Sequence, residues 1–162
     1  MKKPRLLQPL AALLLAAAGA ALLSLAQPPE VRDRALLDPA ATGEVIAEVG
    51  DGLTRILSYA PEDLDRTEQA AGEVLEGRAA EQYRGLFARV RQEAPAQRLA
   101  MRTRVAGAGV VELTGDHAVL LVFLDQTSSR KGRPEGRPVA AQLTVTARRD
   151  GGNWRITEMK AA

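Results

Sequence analysis

The 162 residues suffice for one domain with a short extra segment, and about 135 remain once an apolar N-terminus is set aside, enough for a core without staples. There are no cysteines, which excludes a disulfide framework, a thiol nucleophile and any cysteine metal site. The formal charge of +2 is misleading: Lys2, Lys3 and Arg5 precede the apolar segment, and beyond it 19 basic residues stand against 20 acidic ones, too even a balance for a nucleic-acid binder.

Leu6 to Ala26 runs without a charge, passing Leu14 and Leu22 on the way. As a helix it spans roughly 30 Å, about the thickness of the hydrocarbon layer. The basic residues before it place the N-terminus in the cytoplasm and the rest of the chain outside. Ser24-Leu25-Ala26 also offers small residues of the kind a signal peptidase reads, with Gln27 as the new first residue. Anchor and cleaved signal therefore both remain open; in either case the body is exported. The chain divides into a basic head and membrane helix over 1–27, a stalk over 28–38 opened by Pro28-Pro29, and an exported domain over 39–162.

Two or three amphipathic helices are expected first. Val45, Ile46, Val49, Leu53, Ile56 and Leu57 share one side of a helix from about Pro39 to Tyr59. Gly50 and Gly52 weaken it by about 1 kcal/mol each relative to alanine. Pro61-Glu62-Asp63 reads as the first turn of a second helix reaching about Leu75. After Gly77 a third presents Tyr83, Leu86, Phe87, Val90 and Ala94 at core spacing, with Pro95 beyond its end.

The pattern then changes to period two, over Met101 to Leu113, His117 to Thr127, Val139 to Arg149 and Trp154 to Lys160. Gly107 and Gly109 suggest a bulge that curves the sheet, and Asp150-Gly151-Gly152 is a strong hairpin signal. No internal repeat is visible. The expected fold is α+β, about three helices packed on a curved four-stranded antiparallel sheet. Such a sheet commonly leaves a conical cavity against its helices.

The residues do not converge on a catalytic centre. His117, the only histidine, opens a strand after a turn and reads as a surface residue. Asp125, the first acid on its strand and face, lies roughly 27 Å away at strand rise, too far for a dyad; Asp116 points to the other face or sits in the turn. Glu158 shares an expected inward face with Trp154 and Ile156, and a carboxylate at a cavity mouth is able to serve as a base. Trp154 reads as a core plug whose indole N–H finds one partner. Tyr59, Tyr83 and Phe87 read as core, or as the lining of an apolar pocket if one is open, with Trp154 and Glu158 completing it. Arg130, Lys131, Arg133 and Arg137 form a basic loop suited to anionic headgroups or an acidic partner. There is no phosphate loop, nucleophile elbow or metal-spaced cluster, so no cofactor is expected and no enzyme.

Ile56-Leu57-Ser58-Tyr59, Leu64-Asp65, Leu75-Glu76-Gly77 with Tyr83 and Phe87, Gly115 to Phe123 with Gln126, and Asp150 to Ile156 together resemble the Mce-associated membrane proteins of actinobacteria. The resemblance extends over nearly the whole chain through short motifs. Glu76 stands where that family typically has threonine, and the first helix is interrupted by glycine. The resemblance implies a single membrane span and an exported NTF2-like domain related in shape to VirB8. It further implies an accessory role in a multi-subunit envelope importer of lipid or sterol, with protein subunits and lipid as partners and no catalytic residues. Two other readings stand beside it: a pocketed NTF2-like enzyme or lipid-binding carrier, and a VirB8-like scaffold of a secretion or conjugation apparatus.

Overall fold

Asp38 caps the first described helix: its carboxylate accepts the Ala41 N–H at 3.0 Å, and Pro39 supplies the preset backbone of the first turn. A computed structural model of the chain describes residues 38–132, 136 and 138–161. Leu6, Leu14, Leu22 and Ala26 of the expected anchor lie outside the described residues, as does the stalk up to residue 37. Among the described residues no helix is long and apolar enough to cross a membrane.

Helix α1 (Pro39–Leu57) buries Val45, Val49, Leu53 and Ile56, which recur every three or four residues along one stripe. Helix α2 (Leu64–Val74) follows the Pro61-Glu62 turn, and α3 (Gly77–Gln97) buries Ala79, Tyr83, Phe87 and Ala94. Two expectations for α3 fail. Its buried stripe is narrower than the sequence suggests, leaving Leu86 66% exposed beside an open cleft. Pro95 lies inside the last turn, because a proline there forfeits only one hydrogen bond near the frayed end. The helix stops at Arg98, in left-handed conformation, while Leu99 donates to the Ala94 carbonyl.

Strands β1 (Ala100–Thr114), β2 (His117–Ser129), β3 (Val139–Asp150) and β4 (Asn153–Ala161) form an antiparallel meander in that order. The described residues thus form an α+β domain of three helices on a four-stranded sheet. Leu120, Val122 and Leu124 of β2, Val145 and Ala147 of β3 and Ile156 of β4 form the covered face. Register shifts fall at Ala106, next to the predicted glycine site, and again at Val111. A third shift at Thr157 was not visible in the sequence.

Both helix junctions are bonded to sheet edges. Tyr59 and Met101 exchange backbone hydrogen bonds of 2.9 Å across the β1 edge, and the Glu76 N–H donates to Ile156 at 2.9 Å across the β4 edge. The first tie is reinforced by buried Thr103, whose hydroxyl donates to Leu57 and accepts from Gln126, while its N–H donates to Ser58. Side-chain and backbone polar groups are thereby satisfied where the helices leave the sheet.

Gly52 allows α1 to lie close against α2. A Cβ there would stand 2.8 Å from Val74 Cγ1, whereas one at Gly43 on the same helix meets nothing within 4 Å. The glycine that helix propensity penalises is thus demanded by packing. Gly52→Ala should lower stability by about 1–2 kcal/mol, overpacking outweighing the propensity gain. Gly43→Ala should leave it unchanged or raise it by up to about 1 kcal/mol. Denaturant unfolding of the two variants beside the parent chain checks this opposition of sign.

Candidate functional site

The five residues expected to line one pocket do not meet around one space. Tyr83 and Phe87 stack with centroids 5.2 Å apart, and Tyr59 meets Phe87 edge-on at 6.4 Å. These rings fill the wedge between α3 and the α1–α2 junction. Tyr83 is fixed by a 2.8 Å hydrogen bond that its hydroxyl donates to the Ile56 carbonyl. Trp154 lies at the β3–β4 hairpin, under the Arg149 guanidinium at 5.1 Å, with its backbone N–H donating to Glu48 at 2.9 Å. Its indole N–H, expected to find one partner, has none among the described residues; ring burial and the cation above it position the side chain instead.

Glu158 does not share the face of Ile156. The Thr157 bulge inserts one residue, so Glu158 is opposite Thr146 while Met159 is opposite Val145 and takes the inward phase. The Glu158 carboxylate is paired with Arg78 at 3.1 Å and Lys160 at 3.0 Å. Asp125 is likewise engaged, 2.5 Å from Arg104, and His117 is an exposed residue opposite Thr114 and Arg148.

The clefts around the wedge open at the surface. One of about 680 Å³ lies between α3 and the ends of β3 and β4, where Leu57, Tyr83, Leu86, Leu143 and Met159 make it mainly apolar. Another, of about 600 Å³, has Trp154 at its wall with Glu48, Asp51 and Glu73 around it. Among the described residues no group of three or more histidines or acids is placed to hold a metal.

Of the basic loop, Arg130 is exposed and the Lys131 N–H donates to the Gln97 carbonyl at 3.0 Å, tying the loop to the end of α3. Arg133 and Arg137 lie outside the described residues. A charged cluster that sequence reading missed joins Glu76 to Arg148 at 2.9 Å and Arg155 at 3.5 Å. Arg155 also donates to the carbonyls of Gly72 and Leu75, capping the end of α2. Only the tertiary path brings residues 76, 148 and 155 together; alternation along the strands would at best have put the two arginines on one face.

No family model matches the chain. The uncharacterized protein Rv1362c of Mycobacterium tuberculosis is 34% identical over 122 residues, covering 75% of this chain and 56% of the relative. The chain therefore spans just over half the length of that curated relative. Outer membrane protein Rv1973 of the same organism is 31% identical over 131 residues, covering 80% of this chain and 79% of the relative. Among solved structures, CagV from Helicobacter pylori, described as a VirB8 homolog of T4SS, superimposes with a TM-score of 0.61 at 9% identity, over 74% of this chain and 97% of CagV. That likeness is one of fold alone: three helices on a four-stranded antiparallel sheet, arranged as in CagV.

Both tyrosines carry their protons above the ordinary range. Burial raises Tyr83 most, with the Glu68 carboxylate and Tyr59 adding to it; burial and Glu93 raise Tyr59. A folded-state value above that of the unfolded chain stabilises the fold below the unfolded pKa near 10, and this contribution fades as pH rises through the folded value. Near-ultraviolet absorbance titration should therefore show both phenols ionising above the range of a free tyrosine, near 10, with Tyr83 the later of the two. Tyr83→Phe, which removes the bond to Ile56, should cost about 1 kcal/mol at neutral pH.

Proposed function

The chain belongs to the family of the mycobacterial outer membrane protein Rv1973, and from that membership we propose that it is an exported, membrane-tethered accessory subunit of a cell-envelope assembly, with no reaction of its own. The observation that carries this reading is how the candidate chemical groups are used. Glu158 and Asp125 are held in ion pairs, Tyr83 donates to a backbone carbonyl, and Trp154 is a core residue. Among the described residues the candidates singled out in the sequence do not come together: Asp125 pairs with Arg104, Glu158 with Arg78 and Lys160, and His117 lies opposite Thr114 and Arg148. What remains for function is surface, presented by a rigid body at the end of a tether.

The Leu6–Ala26 segment supplies the tether in this reading, with the N-terminus in the cytoplasm and the domain outside. Within the accessory class we assign it to a lipid- or sterol-importing assembly of Mce type. The segments Gly115 to Phe123 and Asp150 to Ile156 support that assignment by their resemblance to Mce-associated proteins. The second reading, a scaffold of a secretion or conjugation apparatus, is favoured by the fold likeness to CagV.

Cross-linking in envelope membranes followed by purification of the tagged full chain distinguishes them. Recovery of Mce-type importer subunits in near-stoichiometric amount is the expected outcome. Recovery of secretion-channel subunits would favour the second reading, and a chain recovered only by itself would contradict the accessory role.

A further inference from the structure

β4 is an edge strand, and only its first half is covered. The α2–α3 junction is bonded to its outer side at Ile156, through the Glu76 N–H. Beyond that point, among the described residues, the backbone from Thr157 to Ala161 is bonded to β3 and to no other element. The register shows which groups are left over. Ile156 stands opposite Ala147, Met159 opposite Val145 and Ala161 opposite Leu143. Alternate residues of a strand present their N–H and C=O to the same side, so Met159 and Ala161 turn theirs outward as Ile156 does.

Helix α3 runs beside this open edge. The Arg78–Glu158 pair, 3.1 Å long, sets its first turn next to the strand. Leu86 and Arg89 lie roughly 12 and 16 Å farther along the helix axis, and they line the apolar cleft of about 680 Å³ together with Leu143 and Ala161. Half-buried Leu57, Leu143 and Met159 face this space, and Leu86 is exposed at its wall. Gly85 lines it without a side chain. Its φ is not positive and a Cβ there would meet nothing within 4 Å, so the fold does not need a glycine at this point. Glycine weakens a helix interior; here it widens the gap between helix and strand. Glu81 and Arg89, toward the two ends of the helical wall, are exposed and in no ion pair among the described residues.

We propose that this cleft accepts an extended segment of a partner protein, added to the sheet as a fifth strand beside β4. The free edge selects polypeptide, because a backbone offers donors and acceptors at the spacing of a strand. Paired strands stand about 4.8 Å apart, which places the added backbone at the mouth of the cleft, against Gly85 and Leu86. Every second side chain of the segment then enters the apolar space. Charge complementarity sets the ends: a basic residue near Glu81 and an acidic one near Arg89. The segment expected is therefore two large apolar residues at positions i and i+2, bracketed by opposite charges. Lys160 and the bulge at Thr157 guard the edge against indiscriminate pairing, so selectivity lies in the cleft.

The site rests on the accessory reading for the existence of a partner, but its test uses peptides, so failure here leaves partner recovery untouched. The full chain in mild detergent, used to select from a displayed library of random decapeptides, should enrich the pattern just described. A synthetic peptide of the enriched sequence should protect the amides of Met159 and Ala161 from hydrogen exchange. Ala161→Pro removes an outward N–H that the sheet does not use, and should weaken peptide binding at least about tenfold without lowering the melting temperature. Gly85→Leu should weaken it as much while keeping or raising the melting temperature. Arg89→Glu should reverse the preference at its end from acidic to basic. Val111→Ser, on β1 and away from the cleft, should leave binding unchanged. A selection without enrichment overturns the proposal. So does a peptide whose binding survives both Ala161→Pro and Gly85→Leu, or one that leaves the amides of Met159 and Ala161 unprotected, since the groove then takes something other than a strand.

Discussion

The backbone bonds that join each helix junction to an edge of the sheet set the geometry of everything else. Tyr59 pairs with Met101 at one edge and Glu76 reaches Ile156 at the other. The three helices are therefore suspended across one face of the sheet from its two sides. Stripes on α1 and α3 are pressed against Leu120, Val122, Val145 and Ile156, and the aromatic rings of Tyr59, Tyr83 and Phe87 complete the wedge. Polar side chains reinforce both ties: Thr103 and Ser58 on the β1 side, Glu76 with Arg148 and Arg155 on the β4 side. An edge strand that is bonded to a loop is also less available for pairing with another chain.

The elements themselves were legible because their periods differ. Val45, Val49, Leu53 and Ile56 repeat with a helix, Leu120, Val122 and Leu124 with a strand, and the turns carry glycine and aspartate. What escaped notice depended on a third dimension or on a single inserted residue. Glu158 looked inward because simple alternation continues from Ile156; one bulge at Thr157 reverses that. Leu86 sits at core spacing on α3 yet faces a cleft, because the sheet does not extend far enough to cover it. Gly52 read as a weakness of α1 and is where α2 comes closest. Glu76 anchors two arginines more than seventy residues away in sequence.

The same packing bears on function. A curved sheet with helices over it is often built around a cavity, and here large side chains occupy the wedge while the clefts described open outward. Glu158, Asp125 and Glu76 are each paired with arginines at the rim of the fold.

Native mass spectrometry of the full chain, released gently from envelope membranes, tests most directly whether the filled wedge makes this protein a holder of subunits and not a carrier of cargo. The expected spectrum shows the mass of the polypeptide, with no small molecule retained in fixed proportion. A lipid or other ligand bound one per chain, surviving detergent exchange and lost on enlarging the side chain at Ala79 beneath Tyr83, would contradict it.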